Sequence, residues 1–184
     1  MSRRYAFAAV VLWGLLVLPP LRAILEASLA SHMLQLALLA MSGALLAPAI
    51  GPRDGNGASG FNRFGLTGML LALMTFLFWL LPITLDRAVD EPLWTAAKFI
   101  TLPLLLGLPL AKSWSRLPSV VRAVIIANLI PMAVVMGWVY RESPVRLCNN
   151  YLLSDQQILG TALWTLAAVA ALYFVARGLF ARPG

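Results

Sequence analysis

The chain has 184 residues, of which 61% are hydrophobic and 11% are charged, and its formal net charge is +7. About 25% charged residues are typical of a soluble domain, so a chain this apolar has too little polar surface to cover itself in water. The composition excludes a soluble globular domain. It predicts a single all-helical membrane domain over residues 1–184, with about six transmembrane helices.

The first apolar segment, Tyr5–Leu21, is open to two interpretations. Arg3 and Arg4 precede the run "YAFAAVVLWGLLVL", and a basic start followed by an apolar run is also typical of a signal peptide. Because no small-x-small cleavage site follows convincingly, we expect this segment to remain as the first membrane span.

Five further segments are long and apolar enough to cross a bilayer, which takes about 20 residues of helix. They are His32–Ile50, Gly65–Leu85, Leu93–Ala111, Ser119–Tyr140 and Ile158–Phe180. The longest stretches between spans are 51–65, which is rich in Gly, Asn and Ser and is typical of a flexible turn, and 141–157. Neither stretch is long enough for a separate soluble domain.

Charge is distributed unequally between the two sides that six spans would define. The side with both termini carries nine cations against the single acid Asp54, namely Arg3, Arg4, Arg53, Arg63, Lys112, Arg116, Arg122, Arg177 and Arg182. The other side carries five cations and six acids, namely Arg22, Arg87, Lys98, Arg141, Arg146, Glu26, Asp86, Asp90, Glu91, Glu142 and Asp155. An excess of Lys and Arg marks the cytoplasmic side, so we expect both termini inside a bacterial inner membrane. Cations spread over several loops favour contacts with anionic lipids and argue against nucleic acid as a partner.

The unusual polar residues gather on the predicted outer side. His32 is the only histidine and Cys148 the only cysteine, so no intrachain disulfide is possible. Together with Met33 they offer one nitrogen and two soft sulfur donors, a set that suits copper. The alternative is that His32 is an interfacial residue that hydrogen-bonds Gln35 or a loop carbonyl and lies near the segment from Cys148 to Gln157.

Two other features have both structural and functional interpretations. Lys98 lies about a turn inside the fourth span, where its ammonium must either extend to the membrane surface or pair with an acid such as Asp155 or Glu91. In "SDQQ", residues 154–157, Ser154 is expected to cap the sixth span while Gln157 reaches back. Gln35, Lys98, Asp155, Gln156 and Gln157 are therefore predicted to form a polar cluster at the outer face.

Three segments together resemble the CtaG-like cytochrome c oxidase assembly factors. They are "SHMLQLALLAMSGALLAPAIG", "FWLLPITLDRAVDEPLWTAAKFITLPLLLGLPL" and "YLLSDQQILGTALW". The first is similar to the family's histidine–x–x–glutamine–histidine helix start. The second is similar to its tryptophan–histidine–leucine–proline stretch, and the third to its aspartate–glutamine–glutamine–x–x–glycine signature. They occur in the family's order.

The resemblance implies copper handling for oxidase maturation at the outer face. The sequence itself contains no H-E-x-x-H, paired-cysteine or phosphate-loop motif, so we expect that the chain is not an enzyme. This chain departs from the family pattern at Leu36 and Leu80, which stand where histidines are expected, and it has no histidine pair around Trp94 and Lys98. Two functions therefore stay open. One is an assembly factor with copper as its cofactor, and the other is a non-catalytic accessory subunit of a larger respiratory or redox complex. Either would have other membrane subunits as partners.

Overall fold

The computed structural model describes residues 2–50 and 62–180, and this part of the chain is helical, with no β-strand. The predicted all-α class is confirmed. The turn expected at 51–65 lies mostly outside the described residues.

The chain groups into two compact units, one ending at Pro118 and one beginning at Ser119. The helices of the first unit are α1 (Ser2–Val17), α2 (Pro19–Glu26), α3 (Leu29–Leu46), α4 (Leu66–Trp79), α5 (Pro82–Asp90), α6 (Pro92–Thr101) and α7 (Leu108–Trp114). A π-helical segment, Leu102–Gly107, joins α6 to α7 in one helix of 23 residues. The second unit consists of α8 (Ser119–Glu142) and α9 (Leu153–Phe180).

Two of the predicted spans are bent and not straight. The helix axis turns by 71° between α1 and α2 and by 72° between α4 and α5. In both cases a proline begins the second helix, and the preceding residue is extended, with ψ of 128° at Leu18 and 129° at Leu81. A proline disfavours helical geometry in the residue before it. The spans predicted at Tyr5–Leu21 and Gly65–Leu85 are therefore each a long helix followed by a short one.

Among residues 2–50 and 62–180, four helices are long and apolar enough to cross a membrane, and the number rises to as many as six if each bent pair counts as one span. The four are Leu29–Leu46, Pro92–Trp114, Ser119–Glu142 and Leu153–Ala176. These helices are compatible with a multi-pass membrane protein.

The start of α3 decides where His32 lies. The Ser28 hydroxyl accepts from the Ser31 amide, and the Ser31 hydroxyl accepts from the Ser28 amide, both at 3.3 Å. This reciprocal capping satisfies amides that the first turn would leave unpaired. The helix consequently begins at Leu29, three residues before the predicted start, and His32 lies one turn inside it.

Close backbone packing holds the π-helical segment against α3. A Cβ on Gly43 would overlap the carbonyl of Pro103, and one on Gly107 would overlap the carbonyl of Ala40. Small residues permit such approach between helices in a membrane. Because Pro103 has no N–H, the Phe99 carbonyl loses its usual helical donor, and the Trp13 indole donates to it instead at 2.8 Å. These contacts bring α6, and Lys98 with it, against α3.

The second unit is a pair of helices in close contact through glycines. A Cβ added to Gly160 would lie 2.6 Å from the carbonyl oxygen of Gly137. The Trp164 indole donates to the Val134 carbonyl at 2.9 Å, so this crossing combines backbone contact with a hydrogen bond between the helices.

Candidate functional site: a buried lysine cluster

Lys98 is fully buried, and its ammonium contacts three acceptors in the first unit. The Nζ atom lies 2.6 Å from Glu26 Oε1, 2.9 Å from Gln35 Oε1 and 3.0 Å from His32 Nε2. An ammonium has three hydrogens to donate, so these three bonds use all of them. We call Arg22, Glu26, His32, Gln35 and Lys98 the Lys98 cluster.

Three separate helices supply the cluster. His32 and Gln35 are three residues apart on α3 and therefore lie on one face of that helix. Glu26 is the last residue of α2, and Lys98 lies on α6. The bend between α1 and α2 is what places the carboxylate of Glu26 within reach of α6.

Arg22 extends the cluster toward its more exposed side. Its Nε atom lies 2.9 Å from Glu26 Oε2, and 32% of the Arg22 side chain is exposed against 8% for Glu26. Arg22 Nη2 also donates to the Thr95 hydroxyl at 3.3 Å, and that hydroxyl donates to the Ala88 carbonyl at 2.8 Å. Through these bonds the cluster connects α2, α3, α5 and α6.

The hydrogen-bond chemistry fixes the state of His32. Because an ammonium can only donate, Nε2 of His32 must accept, which leaves the ring neutral with its proton on Nδ1. The Gln35 carbonyl oxygen must likewise face Lys98, and the Gln35 Nε2 atom is then buried without a partner. The carboxylate of Glu26 compensates the charge of Lys98, as a buried ion in a membrane protein requires.

The structure corrects three expectations about this cluster. Lys98 does not extend to the surface, since its side chain is 0% exposed. Its acidic partner is Glu26 and not Glu91, which pairs with Arg87 at 3.8 Å. His32 is also fully buried and meets Gln35 through the ammonium of Lys98.

The polar residues predicted around "SDQQ" lie in the second unit, and they organise the segment before α9. Gln156 is buried; its Oε1 accepts from the Leu147 amide at 2.8 Å, and its Nε2 donates to the Tyr140 carbonyl at 3.1 Å. Cys148 is buried in the same segment, whereas Gln157 is exposed. The role of Gln156 is to hold this segment to the end of α8.

The capping scheme predicted for this segment is wrong in detail. Ser154 lies inside α9, which begins at Leu153. Asp155, and not Gln157, reaches back, and its Oδ2 accepts from the Leu152 amide at 3.3 Å. An acidic side chain there also interacts favourably with the positive end of the helix dipole. Asp155 was the other partner predicted for Lys98, but the ammonium's three bonds go to Glu26, His32 and Gln35.

The three residues predicted as copper ligands have different surroundings. Nε2 of His32 faces the Lys98 ammonium, Met33 beside it is half-buried, and Cys148 belongs to the second unit. Within residues 2–50 and 62–180, no group of three or more His, Cys, Asp and Glu side chains is placed to hold a metal ion.

Sequence reasoning missed Arg22 and Glu26 as members of the site. The signal was present in "PPLRAILE", where a proline pair starts a short helix and the two charges are four residues apart. A buried lysine needs a carboxylate, and Glu26 was an acid on the same predicted side of the membrane.

No family model, no curated protein and no solved structure matches this chain.

Proposed function

We propose that this chain is a non-catalytic assembly factor or accessory subunit for a respiratory cytochrome oxidase, embedded in a bacterial inner membrane, and that it acts through contacts with other membrane subunits. The resemblance of the three segments supports the oxidase connection. The Lys98 cluster favours a role in binding partner subunits over a role in catalysis or copper binding. In this cluster the ammonium contacts the only imidazole of the chain at 3.0 Å.

An imidazole in this position is poorly placed to act as a general base or as a copper ligand. A general base needs a lone pair that can reach a substrate, and a copper ligand needs the same lone pair directed at the metal. Nε2 of His32 directs it at Lys98, which Glu26 holds in place at 2.6 Å. The cluster instead stabilises the packing of three helices, which suits a protein that presents a fixed surface to a partner.

Copper handling is the second candidate. It is favoured by the soft donors that the chain does possess, the thioether of Met33 and the buried thiol of Cys148, alongside His32. This function would require Lys98 to leave His32 before the metal is bound.

A pull-down in mild detergent tests the proposal. The tagged chain should retain haem-containing oxidase subunits, and its deletion should lower oxidase activity in the membrane, whereas an unrelated polytopic protein with the same tag should retain none. Recovery of the chain without oxidase subunits, together with normal oxidase activity in the deletion strain, would contradict it. Metal analysis of the same preparation separates the two candidates, because copper handling predicts copper in proportion to the chain.

The proposed orientation has six spans with both termini cytoplasmic. It is supported by the nine cations on one side against five on the other. Reporter fusions after Gly57 and after Asp90 should give opposite signals, the first cytoplasmic and the second external. The same signal at both sites would refute this topology.

A further inference from the structure

A narrow groove lies on the surface of the first unit, between α1, α3 and the helix that contains the π-helical segment. Its floor is buried and includes Ala9, Ser42 and Phe99, whereas Val10 and Leu104 on its rim are exposed. The groove has a volume of about 200 Å³. Because its rim is exposed along the flank of these helices, the groove opens toward what surrounds them, which in a membrane is lipid.

The lining of the groove suits a hydrocarbon chain. Among the described residues that line it, Trp13 and Ser42 are the ones whose side chains carry a polar atom. Each has one hydrogen to donate, and both hydrogens are already used, by the Phe99 carbonyl at 2.8 Å and the Leu39 carbonyl at 2.7 Å. An apolar cavity of about 150 Å³ holds one benzene ring, so this groove takes a segment of one hydrocarbon chain and not two chains side by side.

The two ends of the groove differ in charge. The hydrogen bond between Trp13 and Phe99 closes one end, because the other lining residues of α1 precede Trp13 and those of the facing helix follow Phe99. The opposite end faces the start of α1, where Arg3 and Arg4 are exposed. It also faces the end of α3, where a backbone carbonyl at residue 50 accepts from Lys112 at 3.4 Å. Three cations therefore lie beyond the open end.

The distance from these cations to the closed end fits one lipid chain. Trp13 follows Arg4 by nine residues, which is about 14 Å of helix. The hydrocarbon core of a bilayer is about 30 Å thick, so the chains of one leaflet reach about 15 Å into it. A phospholipid with its headgroup at Arg4 can therefore extend an acyl chain as far as Trp13.

We propose that this groove binds one acyl chain of an anionic phospholipid from the surrounding bilayer, with the phosphate of its headgroup at Arg3, Arg4 and Lys112. The chain supplies dispersion contacts that the lining of an unfilled groove would lack. The cations select a negatively charged headgroup. The inference depends on the first unit alone, and it is independent of the proposed function and of the side of the membrane on which the termini lie.

The experiment is native mass spectrometry of the full-length chain in detergent, titrated with phosphatidylglycerol or, separately, with phosphatidylcholine of the same acyl chains. We expect the wild type to retain one phosphatidylglycerol per chain at concentrations at which phosphatidylcholine is not retained. Ser42→Leu places a larger side chain on the floor of the groove and should abolish this binding. Thr161→Leu is the matched control, because Thr161 is an exposed residue whose hydroxyl also bonds a carbonyl of its own helix, and it should leave the binding unchanged.

A second pair of variants tests the headgroup contact. Arg3→Gln/Arg4→Gln removes two cations at the open end and should weaken phosphatidylglycerol binding by at least about tenfold. Arg87→Gln/Arg146→Gln also removes two exposed cations, neither of which lies on α1 or α7, and it should leave the affinity unchanged.

Fluorescence quenching gives a readout that does not depend on filling the groove. The chain is placed in phosphatidylcholine vesicles that contain a small fraction of phosphatidylglycerol brominated at the end of its acyl chains. Because the chain end would lie at Trp13, this lipid should quench the fluorescence more than the same fraction of equally brominated phosphatidylcholine does. Trp13→Phe should remove the difference.

Several results would overturn the proposal. They are equal retention of the two lipids, retention of neither, and phosphatidylglycerol binding that survives either Ser42→Leu or the loss of Arg3 and Arg4. If Ser42→Leu cannot be recovered folded, the quenching comparison decides the matter, and equal quenching by the two brominated lipids would contradict a site for the anionic one.

Discussion

Replacement of Lys98 by methionine keeps a side chain of similar shape and removes the ammonium. The substitution leaves one oxygen of Glu26 without its cation and removes the donor to both His32 Nε2 and Gln35 Oε1. Breaking a buried ion pair by removing one partner costs about 3–5 kcal/mol. Because Arg22 still holds Glu26 at 2.9 Å, we expect the lower end, about 3 kcal/mol. Lys98 is 0% exposed, so solvent does not screen this interaction.

The assay is thermal unfolding of the purified chain in detergent. For a chain of this size, about 3 kcal/mol corresponds to a fall of roughly 6–12 °C in the unfolding temperature. Lys112→Met is the matched control, because Lys112 makes one exposed contact of 3.4 Å to the Ile50 carbonyl, and it should change stability by less than about 0.5 kcal/mol.

A double variant shows whether the effect belongs to the ion pair. Glu26→Gln removes the charge that Lys98 compensates, so in the Lys98→Met background it should cost far less than it does alone, which a double-mutant cycle detects. Equal unfolding temperatures for Lys98→Met and Lys112→Met, or simple additivity of the Lys98 and Glu26 effects, would refute the reasoning.

Two further predictions concern the second unit. Gly137→Ala should lower the unfolding temperature, because the added Cβ would overlap the Trp164 ring and the Gly160 carbonyl. Gly14→Ala is the control and should not lower it, because nothing lies within 4 Å of the added Cβ. Equal unfolding temperatures for the two variants would contradict the close helix crossing. Gln156→Leu removes the bonds that hold the segment before α9, so the buried thiol of Cys148 should react faster with a maleimide than it does in the wild type. Gln157→Leu changes an exposed neighbour and should leave that rate unchanged, and an unchanged rate in both variants would show that Gln156 does not hold the segment.

The sequence predicts the helical class well, because long apolar segments with few charges have no other stable form in a bilayer. It also places Glu26 and Lys98 on one side of the membrane from the alternation of loops. The sequence indicates the two bends, between α1 and α2 and between α4 and α5, less clearly. Leu18 and Leu81 both precede proline, however, and are therefore biased away from helical geometry. A hydropathy profile does not detect such bends, because the residues on both sides of the bend are apolar.

The sequence offers Glu26 as one of several acids on the same predicted side as Lys98, but it does not decide which of them pairs with the lysine. Glu26 is 72 residues away, and the direction of its helix depends on the 71° turn after α1. A lysine inside a predicted span indicates that an acidic partner is needed. Which of Glu26, Glu91 and Asp155 is that partner depends on how the helices pack. That packing depends on the close backbone contact between Gly43 and Pro103. A hydropathy pattern gives no information about such a contact.

A copper titration of the purified wild-type chain, compared with the His32→Ala and Cys148→Ser variants, tests the central claim most directly. If the ammonium of Lys98 holds His32 as a hydrogen-bonding group, the wild type should bind no copper in proportion to the chain, and the His32→Ala variant should titrate in the same way. One equivalent of copper in the wild type, lost in both variants, would contradict the claim and establish His32 and Cys148 as metal ligands.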